Sequence, residues 1–176
     1  MSEEFSFRVR LATDADMQAI AEAHRASILE IASTYYENDE AFRYWSRERD
    51  SDSYRVSRDQ HGEVFFVAEP VPSQTGYVYG FSSYRFENEQ HRLQGFYVRG
   101  TAARRGIGTC LLDVVEHHAC AQGAEELHLE ASLSGEAFYK AAGFIELSRK
   151  PRPFGDSGQK MESIMMVKPI ARFLKP

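Results

Sequence analysis

The chain has 176 residues and a mass of 20.1 kDa, enough for one hydrophobic core and too short for two ordinary domains. Apolar residues make up 43% and charged residues 27%, a balance that excludes a mostly disordered chain. With 26 acidic against 21 basic residues the formal charge is -5, which argues against a general nucleic-acid backbone binder.

The opening MSEEFSFRVR is too acidic and polar for a secretory leader, and no run approaches the roughly 18 apolar residues of a membrane span. A cytoplasmic protein with no membrane partner is expected. Residues 5–11 alternate as FSFRVRL, the period of a half-buried strand. Thr13, Asp14 and Asp16 then open a helix with cap residues and acidic side chains at its positive end, and Ile20, Ala23, Ser27, Ile28 and Ile31 continue it. From 35 to 58 the sequence turns to charge and aromatics without a clean period, read as short helices over 39–47 and 51–59. The middle reads as a meander of strands at 63–69, 76–86 and 92–99, joined by PVPSQTG and ENEQH.

Residues 106–122 place Ile107, Leu111, Leu112, Val114, Val115 and Ala119 on a broad apolar face closed by Gly123, which predicts a helix. A strand at 126–130, a short helix at 135–142 ended by Gly143, and strands at 144–147 and 162–168 complete the chain. Cys110 and Cys120 fall about 15 Å apart along the one helix and cannot bridge. His117 and His118, adjacent on that helix, read as solvated, and no spacing of His and Cys suggests a metal. A meander followed by alternating strands and helices predicts an α/β (α+β) fold with a mixed sheet and helices on both faces.

The sharpest local feature is Arg104-Arg105-Gly106-Ile107-Gly108-Thr109, between a strand and a helix. A small-residue turn entering a helix presents unpaired N–H groups and the positive end of the helix dipole, a setting for a pyrophosphate. Leu111 stands where a dinucleotide fingerprint has its third glycine, and the Lys-Ser or Lys-Thr of nucleotide hydrolases is absent.

The order LQGFYV, RRGIGTCLL, LHLEAS and AFYKAAGF over residues 92–147 resembles the GNAT superfamily of acyl-CoA-dependent N-acyltransferases. The resemblance implies a single GNAT-like domain over 1–176, with a mostly antiparallel sheet of about six or seven strands. Residues 1–62 would supply the first strand and acceptor-side helices, 63–147 the acyl-CoA core, and 148–176 a C-terminal loop and strand. It implies acetyl-CoA as co-substrate and no metal. Phe96, Tyr97 and Val98 would lie on a splayed strand whose main chain meets the pantetheine arm, and the Val98 N–H would polarise the acyl carbonyl. Arg104, Arg105, Gly106, Ile107, Gly108 and Thr109 would hold the pyrophosphate. Ala103 stands where the family has Gln or Arg, and Ser134 stands for a frequent Asn as a further cofactor contact. Tyr139, the tyrosine of the FY pair, would donate a proton to the departing thiolate.

The residues leave the base open among Glu87, His91, Glu130 and a water chain. The 35–54 segment would cover the acceptor cleft, with most aromatics packed inward and Tyr35, Tyr36 or Trp45 touching the acceptor; Arg43, Arg47 and Arg49 lie nearby. The implied activity is acetyl transfer to a primary amine of a small molecule or a protein, by direct attack in a ternary complex. A non-catalytic acyl-CoA sensor is the alternative. Acceptor identity and a homodimer stay open.

Overall fold

In the computed structural model, residues 5–36, 40–153, 158 and 160–170 are described. Seven strands, β1 (Phe7–Leu11), β2 (Val64–Pro70), β3 (Gly80–Glu87), β4 (Gln90–Val98), β5 (Glu126–Ala131), β6 (Ile145–Pro153) and β7 (Lys160–Pro169), form one sheet in the order β1-β2-β3-β4-β5-β7-β6. All neighbours are antiparallel except β4 and β5. The described residues also form five α-helices: α1 (Met17–Glu30), α2 (Glu40–Trp45), α3 (Ser51–His61), α4 (Ile107–Ala121) and α5 (Glu136–Ala141). The mixed, mostly antiparallel sheet agrees with the sequence expectation. Asp39, where the expected second helix begins, lies outside the described residues.

Strand alternation sorts the two faces. Phe65, Val67 and Phe81 are buried against Met17, Ile20 and Ala23 of α1 and Tyr54 of α3. On the other face Phe66, Ala68, Phe96 and Val98 pack with Ile107 and Leu111 of α4. A larger cluster joins Leu112 and Val115 of α4 to Leu127, Leu129, Ile164 and Met166, and to Tyr139 and Phe144 around α5.

Polar anchors fix the first elements. The Asp16 carboxylate accepts from the Thr13 N–H at 2.7 Å and from Arg10 at 2.7 and 2.8 Å, while Arg10 also reaches the buried Glu69 at 2.7 Å. One guanidinium thus joins β1, β2 and the start of α1, and its hydrogen bonds hold both carboxyls at a pKa of about 2. Asp50 caps α3 through the Asp52 N–H at 2.9 Å, and Gly62 at φ 65 ends it.

Three expectations need correction. β3 starts at Gly80, not at 76, because Tyr77 N–H closes a turn onto Gln74 C=O at 3.2 Å. β6 runs on to Pro153 instead of ending near 147. As an edge strand it needs only alternate N–H groups, and Pro151 and Pro153 share one parity. His118 is not solvated: its ring lies half-buried, edge-on to Tyr84 at 4.9 Å and Phe66 at 5.6 Å, and burial lowers its pKa.

Candidate active site

The site begins with a defect in the ladder between β3 and β4. Ser82 pairs with Phe96 and Tyr84 with Leu93, so Ser83 faces both Gln94 and Gly95, a bulge on β4. Ser83 Oγ accepts the Gly95 N–H at 2.7 Å and donates to the buried Glu63 carboxylate at 2.5 Å, which Ser57 also approaches. The bulge puts Leu93 and Phe96, three apart, on one face.

Beyond the bulge, β4 leaves β5. The two strands pair only at Arg92 with His128 and Leu93 with Leu129. Arg99 N–H bonds Tyr79 C=O at 2.8 Å, so by antiparallel alternation Tyr97 turns its main-chain groups toward Phe81. Phe96 and Val98 therefore point theirs into the gap. Of the three residues expected to offer main-chain contacts on the splayed strand, Tyr97 offers only its side chain.

A cavity of about 650 Å³ runs through this gap, lined by Phe96, Tyr97 and Val98 on one side and Leu129, Glu130 and Ala131 on the other. Toward the α4 face it meets Ala103, Arg104, Gly106, Gly108, Thr109, Ser134 and Phe138. Arg104 and Gly106 hold φ 63 and 84, the left-handed turn that aims the chain into α4. The first helical bond runs from Cys110 N–H to Gly106 C=O at 3.1 Å, leaving the amides of Ile107, Gly108 and Thr109 without a helical acceptor. Gly108 leaves room on that side: an added Cβ would stand 3.3 Å from the Phe138 ring. The Phe138 ring in turn stacks on Phe96 at 5.2 Å.

Two predicted residues sit elsewhere. Arg105 places its guanidinium 4.3 Å from the Phe5 ring and does not line the cavity, and the Ile107 side chain is buried with Ala68 and Leu111. Ser134 lines the cavity and shares a 2.9 Å hydrogen bond with Ser132.

Tyr139 lines the cavity, its ring held by Phe96, Phe138 and Phe144 with centroids 5.4 to 5.7 Å away. Its hydroxyl makes no hydrogen bond among the described residues. Burial, with a smaller contribution from Tyr97, raises its pKa above the ordinary tyrosine value, so the group stays a proton donor at physiological pH.

Toward the α1 face the cavity is lined by Ser27, Ile28, Trp45 and Arg49, with Glu130, Arg152, Met161 and Ser163 from the far strands. Trp45 hydrogen-bonds to Tyr97. Tyr36 is buried, accepting the Leu133 N–H at 3.0 Å, and Tyr35 is exposed outside the cavity. Among the candidate bases only Glu130 lines the cavity, where Ser163 Oγ donates to it and Arg152 stands 3.4 Å away. Glu87 is held at the β3–β4 hairpin by Arg85, Arg92 and Gln94, and His91 is bonded to the Tyr84 hydroxyl at 2.6 Å. Met161, Ser163 and Arg152 had no signal in the sequence, since β7 and the extended β6 bring them in only when the sheet forms. No cluster of His, Cys, Asp or Glu able to hold a metal occurs among the described residues.

The family model described as an acetyltransferase (GNAT) domain matches residues 31–164, which include the strand, turn, helix and aromatic pair of this site. The chain belongs to the GNAT acetyltransferase family. No curated protein matches the sequence. Among solved structures, a GCN5-related N-acetyltransferase from Rhodopseudomonas palustris superposes with a TM-score of 0.76 at 23% identity, over 92% of this chain and 94% of that one. PaiA N-acetyltransferase from Thermoplasma acidophilum, in complex with coenzyme A, gives 0.69 at 21% identity over 93% and 99%. The structure of yncA from Salmonella typhimurium, with its cofactor acetyl-CoA, gives 0.67 at 20% over 97% and 98%. These likenesses establish a shared GNAT fold. GNAT enzymes use acetyl-CoA as co-substrate. In this GNAT chain the gap between β4 and β5 opens onto both faces of the sheet, so two ligands could approach one another from opposite sides.

Proposed function

We propose that this GNAT domain transfers acetyl from acetyl-CoA to a primary amine by direct attack in a ternary complex. The observation that carries the reading is the cavity crossing the sheet, with free amides at its α4 end and the unpartnered Tyr139 hydroxyl on a residue of its lining. The residues present fit the co-substrate. The amides of residues 105–109, aided by Arg104, would hold the pyrophosphate, and Ser134 would add a polar contact. The main-chain groups of Phe96 and Val98 would bond the pantetheine arm as an added strand.

Acetyl-CoA supplies an activated acyl group on sulfur. The Val98 N–H, pointing into the gap, stabilises negative charge on the acyl oxygen as the amine attacks. Tyr139, kept neutral by burial, donates to the sulfur as it leaves and is restored by the second proton, which the attacking nitrogen loses on becoming an amide. Glu130, on β5 at the acceptor side, receives the proton of the incoming ammonium, directly or through water. The free hydroxyl of Tyr139 favours the enzyme over an acyl-CoA sensor, which has no use for an unpartnered donor at that point.

Native mass spectrometry of the purified protein with acetyl-CoA, followed by a free-thiol assay over a panel of amines, tests the reading. A bound coenzyme and amine-dependent thiol release are expected. Binding without turnover on any amine would leave the sensor.

A further inference from the structure

Five charged side chains line the cavity: Arg49, Arg104, Glu130, Arg152 and Glu162. Arg104 belongs to the turn before α4, Arg152 pairs with Glu130 at 3.4 Å, and Glu162 pairs with Arg149 at 3.2 Å. Arg49 has no carboxylate partner among the described residues. Its side chain is half-buried, on the segment between α2 and α3, and its Nε is shut off from solvent with no hydrogen-bond partner. Around it stand neutral groups: the buried imidazole of His24, which its charge helps keep unprotonated, and the phenols of Tyr54 and Tyr97, whose ionised forms it favours.

Partly burying a guanidinium without a counter-ion costs free energy that a bound oxyanion would return through two parallel charge-assisted hydrogen bonds. Glu130, on β5 and beside Arg152, lines the same cavity with the opposite charge. An uncompensated cation and a carboxylate lining one cavity match a molecule with both a carboxylate and an ammonium. A polyamine would meet Arg49 as a like charge.

Resting on the acetyltransferase reading, we propose that the acceptor is a small primary amine that carries a carboxylate, of the amino-acid class, and that Arg49 binds that carboxylate. Arg49 then selects the acceptor and takes no part in holding acetyl-CoA.

The test pairs amino acids with their carboxamides and with aliphatic diamines, measured by thiol release at saturating acetyl-CoA and by Trp45 fluorescence with CoA bound. Trp45 is the chain's single tryptophan and lines the same cavity. Carboxylate-bearing amines are expected to be the better acceptors and to change the fluorescence. Arg49→Gln should raise KM for the acids about thirtyfold or more, the loss typical of a desolvated charge pair. The same change should alter KM for the matching carboxamides little and leave acetyl-CoA affinity unchanged by calorimetry. Arg49→Lys, which keeps the charge, should recover part of the affinity and shows that the effect is not misfolding. Equal use of acids and carboxamides, an Arg49→Gln enzyme with the acids' KM intact, or no fluorescence response to any carboxylate would overturn the proposal. Failure of wild type to bind acetyl-CoA would instead strike the acetyltransferase reading, so the two failures are distinguishable.

Discussion

Tyr139 shows how one hydroxyl can be free in an otherwise packed wall. Three aromatic neighbours fix the ring, and Gly135 lies so close that an added Cβ would stand 2.9 Å from it, so the phenol has little freedom to turn away. Tyr139→Phe keeps this packing, and its melting temperature should stay near wild type. Its turnover is expected to fall by about 10² to 10⁴, the usual cost of losing a general acid. Because burial raises the tyrosine pKa, the donor form persists as pH rises, and the wild-type kcat profile should show no alkaline loss assignable to Tyr139 below about pH 10. Steady-state kinetics from pH 6 to 10 on both proteins checks both statements.

Two local elements shape the co-substrate path. The first is the start of α4, where Gly108 faces Phe138 and Phe96. Acetyl-CoA at a hundred times its Kd should stabilise the wild-type fold by about 2.7 kcal/mol. Gly108→Val fills the approach and should abolish that thermal shift, whereas Gly108→Ala, whose single methyl needs only a small movement of the Phe138 ring, should retain part of it. A full shift in the valine variant would move the pyrophosphate elsewhere. The second element is the bulge on β4, tied by the Gly95, Ser83 and Glu63 chain. Ser83→Ala leaves the Gly95 N–H and one Glu63 oxygen without their partner and should cost about 1–3 kcal/mol by chemical denaturation. If the bulge holds the gap open, the same variant also weakens acetyl-CoA binding. A loss of stability with unchanged binding would make the tie structural only.

At the scale of the whole molecule, His24 couples pH to folding. It sits between α1 and the sheet, its Nδ1 2.6 Å from the Tyr54 hydroxyl and its ring 3.8 Å from that of Tyr97. Desolvation first, and then the Arg49 charge, lower its pKa to about 3. An unfolded histidine titrates near 6.5, so between those values the unfolded chain binds a proton that the native state refuses. Stability from this group is therefore full above pH 6.5 and lost as pH falls toward 3, by up to about 1.4 kcal/mol per pH unit. The carboxyls of Asp16 and Glu69, held at about 2, lose theirs only as pH falls below the ordinary carboxylate range. Melting temperature should thus decline between pH 6.5 and 5 in wild type, and His24→Gln should flatten that stretch. A flat wild-type curve there would show that His24 is protonated in the fold.

What the sequence determined by itself is whatever rests on local rules. Alternation marked β1, and aromatic and β-branched runs between turn-rich loops marked β2 and β4. The apolar face between Gly106 and Gly123 marked α4, and the spacing of the glycine turn and the aromatic pair made the GNAT resemblance visible before any coordinates. Tertiary structure decided what depends on residues distant in the chain. The bulge needs Ser83 from β3 and Glu63 from the residue just before β2, and it sets Leu93 and Phe96, three apart, on one face. The length of β6 depends on its becoming an edge, where its prolines are tolerated. The acceptor end draws Arg49, Glu130 and Met161 from a linker and two strands, and no pattern in the linear sequence joins them. A side chain's period is a property of its own segment, but the free valence of a hydroxyl or a guanidinium is set by what the rest of the fold places beside it.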